Sequence, residues 1–461
     1  MTRSDHDQTR AQMGAMVDEF LTGRLSRRQL LTRAAALGIS VPALGAILAA
    51  RPQFASAQAT PSSSPEALQL GDYSGKTLNL SLALAEEEFT VFQDVALKGF
   101  QDATGGKVEP IKIEAADAVK TLQAQVPSGN VKIDLIMQDN NTLGLLVADQ
   151  LVEEIPNANE IVPATTIPAL TTAFVFNGTN YFLPARPNVQ ITYYNETALK
   201  NDGVSDVPKT WDDLMAAGKA IKDKEGVGKL SIQGVPGGAV GVTCTQFIWQ
   251  AGGDPLQIDS DEAAQAFKYM QDLKPYLTPQ YPTATFDTTN TYILNQSVVL
   301  AQNWPFGVNV IVQQGGKKDV LTYEGWSGPA GNFLVLGGDV FGIVKGTKNK
   351  DMALDFAKFF MSQSVQQTFT EKLGWPPIRT DAFAAVADWQ KPYFETIRAA
   401  LGHTKARPTV TYWADVENIL SDAFNDIVTN GKDPKSTLAD YQKKIDDAKA
   451  KAPAGAATPA S

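Results

Sequence analysis

Residues 76–84 read KTLNLSLAL, with Leu78, Leu80, Leu82 and Leu84 alternating with smaller or polar residues. Alternation of this kind predicts a β-strand, because successive side chains point to opposite faces of a sheet. The following stretch changes period. Phe89, Phe92, Ala96, Phe100 and Ala103 fall on one face of a helix, which Gly105-Gly106 stops. Val108–Ile113 reads as a second strand, Val119–Val126 as a second helix, and Ile133–Met137 as a short apolar run suited to a strand covered on both faces. Strand, helix, strand, helix, strand predicts an α/β fold built on a mostly parallel sheet. Ligands of such sheets bind at the carboxyl ends of strands. Those ends carry Glu86, Glu87 and Glu88 after the first strand and Gln138, Asp139, Asn140 and Asn141 after the third.

Farther along, Thr210-Trp211-Asp212-Asp213 predicts a capping box ahead of the apolar face Leu214, Ala217, Ile221. Asp259 and Glu262 repeat that logic before Ala263, Phe267, Met270 and Leu273. Met352, Phe356, Phe359 and Phe360 line another helix. Trp413 to Ile427 and Leu438 to Ile445 form a last pair, the second opened by Asp433-Pro434. No tandem repeat is present.

Bulk properties set limits. The 461 residues carry 43% apolar and 20% charged residues, ordinary for a globular chain able to bury a large core without disulfides. One cysteine, Cys244, allows no intramolecular disulfide and reads as a small buried apolar side chain. The net charge of −10 argues against nucleic acid as a partner. With only His6 and His403, the chain has little material for histidine catalysis or a His-ligated metal site. No cofactor and no metal are expected.

The N-terminus predicts export. Ser26-Arg27-Arg28-Gln29-Leu30-Leu31 is a twin-arginine pattern, an apolar run follows from Leu37 to Ala50, and Ala55-Ser56-Ala57 offers a small-residue cleavage site. The apolar run is short for a membrane span. No cysteine follows it to take a lipid anchor. Residues 1–57 are expected as the signal region, 58–75 as a linker, and 451–461 as a disordered tail.

From Lys76 to Ala450 the chain resembles the extracellular solute-binding proteins of bacterial ABC importers, in particular the carbohydrate-binding group that includes maltose- and trehalose-binding proteins. The resemblance rests on segments in that family's order: Phe182-Leu183-Pro184 leading to Tyr193-Tyr194-Asn195; Pro208 to Leu214; Trp249 to Gly253; Asn303-Trp304-Pro305-Phe306; Leu336 to Ile343 before Lys348 to Phe360; and Gly374 to Arg379. It implies a two-lobe periplasmic-binding-protein-like fold with an interlobe hinge, one lobe formed by 76–187 with 305–348 and the other by 188–304 with 349–450. It further implies a monomer that closes on a ligand and delivers it to the permease subunits of an ABC importer, on the periplasmic or extracellular face of the cytoplasmic membrane.

A sugar site needs flat aromatic faces for C–H surfaces and planar polar groups for hydroxyls. The resemblance places Trp249, Trp304 and Trp375 in interface segments and Arg186 beside the first crossing, where it suits hydroxyls, an acidic ligand or an ion pair. Asp339 stands where relatives often carry an aromatic after the glycine pair. With the strand-end residues Glu86, Glu87, Glu88, Asp139 and Asn140, these are the candidate ligand contacts, and Trp211 reads as structural. Two other readings stay open: the same fold binding a polyamine, peptide or sugar phosphate, and an exported glycoside hydrolase. No G-x-S-x-G, H-E-x-x-H or P-loop pattern supports an enzyme.

Overall fold

The computed structural model describes residues 68–452, apart from positions 85, 114, 173 and 177. The expected signal region lies outside the described residues, as does the tail beyond Ala452.

The first sheet has six strands. β1 (Thr77–Leu82), β2 (Lys107–Lys112) and β3 (Leu135–Asp139) are parallel, with β1 in the middle. β11 (Leu334–Ile343) pairs antiparallel with β3 and also with β6 (Phe182–Val189), while β12 (Thr404–Lys405) runs parallel to the start of β11. The sheet is therefore mixed, because strands from far along the chain return against its parallel core. Leu78, Leu80 and Leu82 are fully buried, and Ser81 between them is buried too, so both faces are covered. Truncating Leu80 to Ala would cost about 2–5 kcal/mol.

The first helix shows how local patterning meets tertiary packing. α1 (Glu86–Phe92) runs through a π-helical turn (Gln93–Lys98) into α2 (Gly99–Thr104). The wide turn accommodates one extra residue. Phe89, Phe92, Ala96 and Phe100 are buried as the periodicity predicts, but Thr104 rather than Ala103 then faces inward. Gly105, at φ 72°, caps the helix. α3 (Ala115–Ser128) covers the sheet between β2 and β3 in sequence. Residues at the end of the expected linker are folded in: the Tyr73 hydroxyl donates to Asp355 at 2.8 Å and its ring stacks on Phe100.

β6 passes directly into β7 (Ile191–Asn195), which opens a second sheet in the order β10 (Val320–Tyr323), β7, β9 (Leu300–Asn303), β8 (Leu230–Ser231). Only β8 and β9 are parallel in it. A short hairpin pairs β4 (Val175–Phe176) with β5 (Thr179–Asn180). Around the second sheet pack α4 (Trp211–Glu225), α5 (Gly238–Ala251), α6 (Asp261–Leu273) and α7 (Phe286–Leu294), then α11 (Trp413–Phe424) and α12 (Pro434–Lys451). The box at Thr210 and Asp213 forms with both bonds, and Asp433 caps α12. α6 is capped by Ser260, not Asp259: its hydroxyl accepts from the Ala263 amide. Cys244 is buried, and burial pushes its thiol pKa up.

The stretch 349–450 does not stay with one sheet. α8 (Lys350–Phe360) and α9 (Gln363–Leu373) join the first sheet's core through rings: Phe360 lies 5.7 Å from Phe92 and 5.1 Å from Phe341, and Phe369 lies 5.1 Å from Phe360. α10 (Lys391–Leu401) packs beside β10. Only α11 and α12 belong to the second core. Conversely, β10, expected with the first lobe, pairs in the second sheet. A ring-to-ring match between helix faces decides this, and no single helix pattern reveals its partner.

Candidate functional site

Three neighbouring strands carry charge in one row. The cross-strand register sets Arg186 on β6 opposite Asp339 on β11, and Asp339 opposite Asp139 on β3. Side chains opposite one another in adjacent strands share a face of the sheet. Arg186 Nη2 lies 2.6 Å from Asp339 Oδ2, and Nη1 donates to Glu88 Oε1 at 3.1 Å. The preceding glycines make this geometry possible. A Cβ on Gly338, at φ 115°, would lie 2.0 Å from the Arg186 carbonyl oxygen, and one on Gly337 would lie 2.7 Å from the Trp304 ring.

Trp375 completes the cluster. Its indole Nε1 donates to Glu88 Oε1 at 2.8 Å. One face stacks on Phe369, with centroids 5.0 Å apart and an interplanar angle of 17°. The Arg186 guanidinium lies over the ring, 4.4 Å from the centroid. The ring is thus held by a neighbouring ring, a cation and a carboxylate together. It stands at the end of the aromatic chain Phe92, Phe360, Phe369 that runs through the first core.

This cluster forms one wall of a cavity of about 450 Å³. Glu88, Arg186 and Asn188 come from the first sheet and its first helix, and Leu373, Gly374, Trp375 and Pro376 from the turn after α9. The rest of the lining comes from Asp287 at the start of α7 and from Pro305, Phe306, Asn309, Val310 and Gln314 after β9. Phe306 is 40% exposed, which leaves an apolar ring available to the cavity. Asn309 is fixed by donating to the Leu373 carbonyl at 3.1 Å.

The acidic residues behind the wall are electrostatically loaded. Burial raises the Asp339 pKa, opposed by Arg186 and reinforced by Asp139. Burial likewise raises that of Asp139, against the pull of Arg407 and a 2.9 Å bond from the Asn141 amide. Burial disfavours the charge on Arg186, but Asp339 and Glu88 outweigh it and its pKa is raised.

The structure brings together Glu88, Arg186, Asp339 and Trp375, and sets Asp139 beside Asp339. The other candidates lie elsewhere. Glu86 is exposed and pairs with Lys112 at 2.8 Å. The Glu87 side chain is outside the described set. Asn140 accepts from Arg407 Nη1 at 2.6 Å and donates to the Leu336 carbonyl, and Arg407 Nε donates to Glu417 at 3.0 Å. Asn140 therefore belongs to a clasp joining the loop after β3 to α11. Trp249 and Trp304 pack with Val242 and Val335 in a small apolar cluster, and Trp304 meets Phe286 edge-on at 5.6 Å. Neither lines the cavity. Trp211 stacks on Tyr269 at 4.3 Å and donates to Gln250, which makes it structural, as its place in the capped helix predicts. Asn188, Asp287, Phe306, Asn309 and Gln314 were not singled out from sequence. Of these, Phe306 carried a signal, lying in the same quoted segment as Trp304.

A second depression of about 530 Å³ lies over Trp211, Tyr269 and Ser327–Pro329, beside helices α4 and α6, and none of the candidate contacts lines it. Among the described residues no group of three or more His, Cys, Asp or Glu side chains is placed to hold a metal ion, and no helix is long and apolar enough to cross a membrane.

The family described as bacterial extracellular solute-binding protein matches residues 96–396. A probable ABC transporter-binding protein of Deinococcus radiodurans is 25% identical over 377 residues, covering 74% of this chain and 86% of that protein. Among solved structures, maltose-bound MalE3 of T. maritima superposes with a TM-score of 0.70 at 21% identity, covering 80% of this chain and 99% of that one. The GacH receptor of Streptomyces glaucescens, studied unliganded and with acarbose, gives 0.70 at 18% identity, covering 82% and 98%. These likenesses show the two-lobe binding-protein fold.

Proposed function

Because the chain belongs to the bacterial extracellular solute-binding protein family, we propose that it captures a mono- or oligosaccharide and delivers it to the permease of an ABC importer. The observation that carries this reading is the 450 Å³ cavity, whose walls come from both sheets' surroundings and combine an available Phe306 ring with amide and carboxylate groups. That volume suits a small-molecule ligand. A sugar has no net charge, so its affinity must come from many hydroxyl bonds and from C–H contact with rings. Asn188, Asn309, Gln314, Asp287 and Glu88 supply the first and Phe306 the second. Structural neighbours described with maltose and acarbose support the same ligand class.

In this reading one lobe comprises the six-stranded sheet with α8 and α9, and the other the helices α4–α6 with α11 and α12. The hinge runs through the β6–β7 passage and the segments after β9 and β10. A ligand touching both walls stabilises the closed arrangement. The precursor is exported folded by the twin-arginine route, works as a monomer, and performs no turnover.

A thermal-shift screen against sugars, polyamines, peptides and glycerol phosphates tests the ligand class, because only molecules bound by the folded state raise the midpoint. The reading expects stabilisation by one or more saccharides. Stabilisation by polyamines or peptides alone would overturn it, as would hydrolysis of a bound glycoside.

A further inference from the structure

Arg186 is the only basic side chain among the described residues lining the cavity. Its placement decides which charge a ligand can carry. Both terminal nitrogens are engaged by carboxylates, Nη1 by Glu88 and Nη2 by Asp339. Its plane lies over Trp375. Nε is enclosed by protein. A guanidinium presents its donors in a fixed fork and cannot turn a new edge to a ligand without leaving a partner. Leaving would be expensive here, because Glu88 also accepts from Trp375 and Asp339 stands beside Asp139. Either acid would lose the cation that compensates its burial.

We propose that the site takes uncharged saccharides and rejects anionic ones, phosphorylated or uronic, and that Arg186 is a positioning residue for Trp375 and Glu88, not a receptor for ligand anions. The inference rests on the sugar-capture reading and refines it. An anionic ligand entering the cavity meets Glu88 and Asp287 on the walls and Asp339 behind them, with one already shared cation to offset three carboxylates. A neutral sugar meets no such repulsion. It can accept from Asn side chains and donate to Glu88 and Asp287 while the Arg186 cluster stays closed.

The test uses the full chain and three probes. Thermal shift with inorganic phosphate, against chloride at matched ionic strength, asks whether Arg186 takes anions. Calorimetry then compares neutral sugars with their phosphorylated and uronic counterparts, such as glucose, glucose 6-phosphate and glucuronate. The proposal expects no phosphate-specific stabilisation and binding of the anionic members at least tenfold weaker than the neutral ones. Glu88→Gln with Asp339→Asn should free the guanidinium and create phosphate-dependent stabilisation. Arg186→Lys, which keeps the charge but not the plane, should lose neutral-sugar affinity as Arg186→Gln does. The proposal is overturned if phosphate stabilises the parent, or if anionic sugars bind as tightly as neutral ones, and loss of that affinity in Arg186→Gln would make Arg186 their receptor. It is also overturned if Arg186→Lys binds neutral sugar like the parent. If no saccharide of either charge binds, the sugar reading fails, and the phosphate arm still decides what Arg186 does. Should the double variant not fold, the comparison of probes on the parent decides alone.

Discussion

Replacing Phe306 with Ala separates a ligand platform from a structural ring. Phe306 follows Pro305 after β9, is 40% exposed, and lines the same cavity as Trp375 and Glu88. About three-fifths of the residue is still covered, so Phe306→Ala should cost about 1–2 kcal/mol of stability, short of the roughly 3–5 kcal/mol lost with a fully buried ring. Its contribution to binding is different. A sugar laid on the ring buries apolar surface at about 25 cal/mol per Å². Covering roughly 40 Å² of ring and C–H surface contributes about 1 kcal/mol, and ring-face contact adds roughly 0.5–1.5 kcal/mol beyond area. The variant should therefore bind its saccharide at least tenfold more weakly, which corresponds to about 1.4 kcal/mol. Isothermal titration gives the affinity and urea unfolding the stability. Unchanged affinity would refute the assignment of this cavity as the site. A stability loss of about 3–5 kcal/mol would make Phe306 a packing residue instead.

Trp304→Ala should behave in the opposite way: the ring is 8% exposed against Phe286 and Gly337, so stability should fall by about 3–5 kcal/mol in urea unfolding. Arg407→Ala should cost about 3–5 kcal/mol by the same measurement, because Glu417 is left buried without its partner. Burial raises the pKa values of Asp139 and Asp339, so ionising them costs more in the folded chain than in the unfolded one. Their contribution is complete below the ordinary aspartate range and is lost as pH rises through the raised values. Asp139→Asn should flatten that fall and stabilise the chain at pH 7 by up to about 1 kcal/mol, read from unfolding across pH 4–8. Replacing Arg27 and Arg28 together with Lys should keep the precursor in the cytoplasm, read by cell fractionation, and unchanged export would count against the twin-arginine route.

The parts legible in the sequence are those governed by local periodicity. β1 to β3 and the helices between them follow from alternation and from the apolar face of residues 89–100. The cap at Thr210 follows from residues three apart. The candidate site was legible where a residue follows or closes a strand, as Glu88 does on the helix after β1 and Asp139 at the end of β3, or within a segment resembling a known family, as Arg186 and Trp375 do. What stayed hidden depends on pairing at long range. Nothing local shows that Asp339 will lie between Arg186 and Asp139, some 150 to 200 residues away along the chain, so its meaning as one member of a buried charge row appears only with the register of β6, β11 and β3. Nor does a helix pattern show that Phe360 and Phe369 will meet Phe92. The exchange between Trp304 and Phe306 turns on two positions: the strand end buries the first against Gly337, and the turn after Pro305 exposes the second.

The most direct test is a crystal structure of the chain with a saccharide that stabilises it in the thermal screen. The account predicts electron density for the sugar between Phe306 and the Trp375–Glu88 wall, with Arg186 still held by Glu88 and Asp339. Density in the depression over Trp211 and Tyr269 instead, with the cavity beside Phe306 empty, would contradict it.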